Sequence, residues 1–160
     1  MERRLIRLRV NGEQHSVAVY PSWTLVDTLR NVLGLTGTKE SCGTGDCGAC
    51  TVLADGEPIC ACLILAGDAE ELDLVTIEGL DRDGQLDPLQ VAFVERGAVQ
   101  CGFCTPGMIL AARALLNTNP RPTEAEVREG LGGNLCRCTG YAKIVDAVLA
   151  AAGQVPAGGR

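Results

Sequence analysis

The sequence predicts an α+β protein made of two successive halves. Apolar residues recur with a period of about two as far as Gly79 and of about 3.6 beyond it. The Asp/Gly-rich stretch Asp81-Arg82-Asp83-Gly84 lies where the pattern changes. Each half also carries its own cysteines: Cys42, Cys47, Cys50, Cys60 and Cys62 in the first, and Cys101, Cys104, Cys136 and Cys138 in the second. The expected division is a β-rich domain over 1–80, a helical domain over 81–152, and a flexible Gly/Pro/Ala-rich tail over 153–160.

Taken in order, Leu5 to Val10 reads as a strand, Asn11-Gly12 as a hairpin turn, and Gln14 to Val19 as the return strand. Pro21 ends it. Thr24 can cap a helix to about Leu33, with Leu25, Leu29, Val32 and Leu33 on one face. Gly34 and Gly37 close that helix and lead into a cysteine loop. Cys50 to Ala54 and Pro58 to Cys62 read as strands around an Asp55-Gly56 turn, and Leu72 to Ile77 as a last strand. Two strands, a helix, the loop and further strands are the order of a β-grasp ferredoxin-like domain. Four helices are then expected. Asp87 to Glu95 has Pro88 near its first turn. Pro106 to Leu116 has Met108, Ile109, Ala112, Leu115 and Leu116 as its apolar side. Thr123 to about Leu131 opens on the capping box Thr123-x-x-Glu126, and Tyr141 to Ala151 comes last.

Composition limits the function classes. A net charge of −6 argues against non-specific nucleic-acid binding, which needs basic patches. Aromatics are only 3% of the 160 residues, so two half-size domains would be marginal from burial alone. A bound metal group can supply the missing stability, because site formation is coupled to folding. Nine cysteines, an odd number, behind an N-terminus that alternates apolar and basic residues, are no secreted disulfide framework. No stretch approaches the ~20 apolar residues of a membrane span, so a cytoplasmic protein without membrane insertion is expected.

The cysteine spacing carries the chemistry. Cys42, Cys47 and Cys50 read C-x4-C-x2-C within SCGTGDCGACT, the plant-type spacing for a [2Fe–2S] cluster, which needs one further Cys. Gly43, Gly45 and Gly48 allow the loop to wrap an anionic core and aim backbone N–H groups at it. A zinc knuckle is the competing use of such thiols, but structural zinc usually takes paired C-x(2–4)-C knuckles. In the second half, C-x2-C at Cys101 and C-x-C at Cys136 each precede a helix, whose N-terminus favours thiolate and an anionic group. Cys-Gly-x-Cys-Thr occurs at both Cys47 and Cys101, which suggests a shared local need rather than a repeat.

The motifs CGTGDCGACTV at 42–52, Cys62-Leu63, QCGFCTPGM at 100–108 and GNLCRCTGY at 133–141 make the chain resemble the small iron–sulfur subunit of the molybdenum hydroxylases. The likeness covers nearly all of residues 4–151. It implies one [2Fe–2S] cluster on Cys42, Cys47, Cys50 and Cys62, and another on Cys101, Cys104, Cys136 and Cys138. It implies that Gln100 and Cys138 face a molybdopterin cofactor on a large subunit, and that FAD on a medium subunit often takes the electrons out. The implied function is electron relay within an oxidoreductase complex, with no substrate-binding active site on this chain. The alternative is a free-standing two-cluster ferredoxin-like carrier; the helical half favours the subunit.

Cys60 and Cys62 would share one face of a strand, so spacing leaves the fourth ligand open and the resemblance alone selects Cys62. Cys60 is then a small buried apolar residue. His15 has no ligand partner nearby in sequence and is expected at a surface or edge. Trp23 and Phe93 are expected as core or interface anchors. Phe103 would shield the second cluster or serve packing equally well, Arg137 lies between two ligating cysteines, and Asp46 lies within the first loop.

Overall fold

A computed structural model describes residues 2–81 and 83–154. Strands β1 (Arg4–Val10) and β2 (Glu13–Val19) form the expected hairpin. Asn11 and Gly12 both take positive φ, 54° and 80°, as a tight two-residue turn demands. The register pairs Arg4 with Val19 and Val10 with Glu13, which puts Ile6, Leu8, Val10, Val17 and Val19 on the buried face. Helix α1 (Leu25–Asn31) begins on a capping box in which Thr24 and Asp27 satisfy each other's backbone N–H groups. It stops short of Leu33: Val32 is the C-cap, and Gly34 turns the chain away at φ 72°.

Strands β3 (Thr51–Ala54), β4 (Glu57–Cys60) and β5 (Asp73–Val75) complete a five-stranded sheet in the order β2-β1-β5-β3-β4. The β1–β5 pair is parallel and the other pairs are antiparallel. β4 ends at Cys60, where the Leu63 N–H donates to the Cys60 carbonyl at 2.9 Å and closes a turn. Cys62 therefore lies in that turn, and the expected shared strand face of Cys60 and Cys62 does not exist.

Helices α2 (Pro88–Glu95), α3 (Thr105–Thr118), α4 (Glu124–Gly130) and α5 (Ala142–Ala151) follow. Asp87 caps α2 through a box with Gln90, and its carboxylate also pairs with Arg113 of α3. Thr123 and Glu126 form the expected box at α4. Phe93, Leu89, Met108, Val127, Ile144 and Val148 make a second core, separate from the sheet core of Ile6, Leu8, Leu25, Leu29, Val52 and Leu74. Each such side chain contributes about 1.5–3 kcal/mol by leaving water. A third cluster of Leu53, Leu110 and Ala114 joins β3 to α3, so α3 ties the helices to the sheet.

His15 lies on β2 at the sheet edge, 4.0 Å from Glu13. Trp23 packs on the sheet core and edge-on against Tyr20 at 5.3 Å. Gln154 donates from Nε2 to the Pro122 carbonyl at 2.8 Å; the rest of the expected tail, 155–160, lies outside the described residues. Among the described residues no helix is long and apolar enough to cross a membrane.

Candidate metal centres

The first cysteine loop hangs between α1 and β3. Arg30, in the last turn of α1, donates from Nη1 to the carbonyls of Thr36 at 2.9 Å and Thr38 at 2.7 Å. The Lys39 N–H donates to Ala49 O at 3.2 Å and closes the neck of the loop. Gly43, Gly45 and Gly48 all take left-handed φ (67°, 82° and 65°), as the wrap predicted from their spacing requires.

The thiols of this loop meet one another and the turn after β4. Cys42 is hydrogen-bonded with Cys47, and Cys50 with both Cys62 and Cys60. The side chain and N–H of Thr44 pull the Cys42 thiol down to about 5, helped by Cys47, with the Thr44 N–H 3.4 Å from its sulfur. Cys62 moves the other way, to about 11, because burial and the hydrogen bond with Cys50 keep its proton on. Burial raises Cys50 as well. Asp46 is exposed and accepts from the Thr44 hydroxyl at 2.6 Å. Cys60 also reaches Cys50, but its sulfur lies 3.5 Å from the Gly45 carbonyl, and burial pushes its thiol up.

The second site repeats the arrangement with different elements. Cys104 is the N-cap of α3, and Cys136 and Cys138 lie in the loop before α5. The sulfurs of Cys101 and Cys138 are 3.5 Å apart, and Cys104 is hydrogen-bonded with Cys136. Burial works to raise Cys136, but the Thr139 hydroxyl and N–H, 3.1 and 3.4 Å from its sulfur, bring it down to about 7. Cys104 is pushed up to about 12 by burial and by Cys136. The Cys136 N–H donates to the Tyr141 hydroxyl at 2.9 Å; Tyr141 itself takes φ 69°, rare for a non-glycine residue. Phe103, Leu135, Arg137 and Tyr141 line a cavity of about 480 Å³ together with Cys101, Cys104, Cys136 and Cys138. Cys47 of the first loop lines it too. Gln100 is exposed beside Cys101.

The recurring Cys-Gly-x-Cys-Thr has a local explanation. The Thr51 N–H donates to Gly48 O at 3.1 Å and the Thr105 N–H to Gly102 O at 3.2 Å. Both glycines are left-handed, at φ 65° and 84°. The same tight turn thus lies between the two cysteines at both sites.

Pairs of thiols fit a binuclear core. A [2Fe–2S] cluster would take four Cys thiolates and supply one-electron redox chemistry. Among the described residues no three His, Cys, Asp or Glu side chains are spaced to hold a single ion. The N–H groups of Thr44 and Thr139 are aimed at the Cys42 and Cys136 sulfurs, as donors that would stabilise an anionic cluster there. Sequence reasoning did not identify Thr44, Thr139 or the Tyr141 hydroxyl in these roles.

The backbone joins the two sites directly. The Leu135 N–H donates to the Cys47 carbonyl at 2.9 Å, and the Asn134 side chain reaches Gly48.

An α+β fold with two thiol sets of this kind defines an iron–sulfur protein, and comparison with known proteins agrees. A family model described as a 2Fe-2S iron-sulfur cluster binding domain matches residues 8–86, and one described as a [2Fe-2S] binding domain matches residues 76–149. The nicotinate dehydrogenase small FeS subunit of Eubacterium barkeri is 52% identical over 92% of this chain and 94% of its own length. The crystal structure of quinoline 2-oxidoreductase from Pseudomonas putida 86 matches at TM-score 0.93 and 47% identity, over 96% of each chain. The aldehyde oxidoreductase of Desulfovibrio desulfuricans ATCC 27774 matches at TM-score 0.89 and 46% identity, over 96% of this chain and 18% of that one. The chain belongs to the family of small [2Fe–2S] iron–sulfur subunits of the molybdenum hydroxylases.

Proposed function

We propose that this chain relays electrons through two [2Fe–2S] clusters, between a molybdopterin centre on a large subunit and an external acceptor, often FAD on a medium subunit. The observation that carries the reading is the pair of thiol sets, each made of two thiol pairs, joined by the Leu135–Cys47 hydrogen bond. Cys42, Cys47, Cys50 and Cys62 hold one cluster; Cys101, Cys104, Cys136 and Cys138 hold the other. When bound, these groups supply one-electron redox chemistry.

The chain's own residues position and shield them. Thr44 and Thr139 direct N–H groups at sulfur, and Phe103, Leu135 and Tyr141 line the second site. Gln100 and Cys138, both exposed, face the pterin. Residues 1–80 form a β-grasp domain and 81–152 a four-helix domain. The apolar side chains exposed around the second site, Val99, Phe103 and Leu135, support docking there on a large subunit. The match to 18% of a much longer aldehyde oxidoreductase chain supports the same arrangement. Nine unpaired cysteines support the cytoplasm as its compartment.

Purification of the native assembly tests the subunit reading. The chain is expected to co-migrate with a large polypeptide containing molybdenum through successive columns. A chain recovered entirely as a free monomer would instead be a free-standing carrier.

A further inference from the structure

Asn134 sits where all three cysteine motifs meet. It is 7% exposed and lies in the segment that leads into Cys136. Its Nδ2 donates to the Gly48 carbonyl at 2.8 Å and to the Thr51 hydroxyl at 3.1 Å. The Thr51 hydroxyl in turn donates to the same Gly48 carbonyl at 2.7 Å, which closes a triangle. Gly48 lies between Cys47 and Cys50, and Thr51 follows Cys50. The third motif is pressed into the same point: a Cβ on Gly107 of α3 would meet Gly48 O at 2.4 Å and Asn134 Nδ2 at 3.1 Å. A Cβ on Gly48 would meet Gly133 O at 2.4 Å and Asn134 Nδ2 at 2.6 Å.

Removal of side chains at 48 and 107 leaves room for one amide, and that amide uses both of its donor hydrogens on the first loop. Loss of the amide removes both of its hydrogen bonds from this buried point and leaves a void there, while the Gly48 carbonyl keeps only the Thr51 N–H and hydroxyl as donors. Groups outside the ligand set that orient ligating residues also tune the metal they hold. We infer that Asn134 is a positioning residue for both cluster sites: it registers the Cys47–Cys50 loop against the segment carrying Cys136 and the first turn of α3, so one side chain that ligates neither cluster sets the surroundings of both. The inference rests on the two-cluster reading proposed above.

The test uses the assembled enzyme, with iron content, redox-titrated EPR of the reduced clusters, and amide exchange. In the parent enzyme, about four irons per chain and two distinct signals establish the two-cluster reading by itself. Asn134→Ala is then expected to shift the midpoint potentials of both signals, and the Leu135 amide is expected to exchange at least about tenfold faster. Thr51→Val, which removes the other corner of the triangle at nearly constant volume, is expected to move the same two potentials in the same direction. Val127→Ala, a cavity in α4, serves as the control: it lowers thermal stability and leaves both potentials in place. If Asn134→Ala empties the sites, loss of both clusters together upholds the inference. A shift or loss confined to the helical-domain cluster, or no change in either potential, overturns it.

Discussion

Cys47→Ser is expected to halve the iron of the chain, from about four atoms to about two, and to stop turnover with the external acceptor. Cys47 is hydrogen-bonded with Cys42, so one of the two thiol pairs of the first site is broken. A serine hydroxyl is a poor substitute for a thiolate toward iron. The second site keeps its four thiols, and its fold rests on a separate core around Phe93, Met108 and Ile144. Rapid-freeze EPR of the assembled variant should therefore still show the helical-domain signal appearing when substrate is added. On the proposed reading Gln100 and Cys138 would face the pterin, so electrons would arrive there first and leave through the first loop near Gly43 to Asp46. A partner that runs reductively reverses the direction but keeps the order. Normal turnover of Cys47→Ser would mean that electrons leave by another route.

Cys62→Ser and Cys60→Ser are expected to differ sharply, although the residues are only two apart. Cys62 is buried in the turn after β4 and hydrogen-bonded with Cys50, so Cys62→Ser should lose the first cluster and keep the second. Cys60 ends β4 and reaches Cys50 as well, but its sulfur also lies 3.5 Å from the Gly45 carbonyl. Cys60→Ser retains a donor for that carbonyl and should keep both clusters, with stability changed by less than about 1 kcal/mol. Iron content and EPR of the two purified variants decide. Loss of the first cluster in Cys60→Ser, with Cys62→Ser intact, would exchange their roles.

Local signals were readable where a few neighbouring residues determine the backbone. Asn11-Gly12, the cap at Thr24, Pro88 in the first turn of α2 and the Thr123–Glu126 box are local signals of this kind, and the structure has all four. The spacing of Cys42, Cys47 and Cys50 pointed to a [2Fe–2S] loop, whereas the choice of Cys62 over Cys60 came from the family resemblance and not from spacing. Element ends were less legible. β4 stops at Cys60 because the chain must turn to bring Cys62 to Cys50, a tertiary demand with no local mark. The first turn of α3 has no side-chain cap to announce it, since Cys104 occupies the N-cap. The tie between the halves was invisible for a similar reason. Asn134 and Gly48 are 86 residues apart, and nothing in Gly133-Asn134-Leu135 says which carbonyl the amide will meet. Thr44 and Thr139 could have been found: each closely follows a ligating cysteine, close enough for its N–H to reach the sulfur.

The most direct measurement of the central claim is iron, acid-labile sulfide and EPR on the chain in its native assembly. Two thiol sets in unlike surroundings, one in a sheet-flanked loop and one between helix N-termini, should give about four irons and about four sulfides per chain and two reduced-state signals with different g-values and potentials. Saturation at about two irons, a single signal, or zinc in place of iron would contradict it.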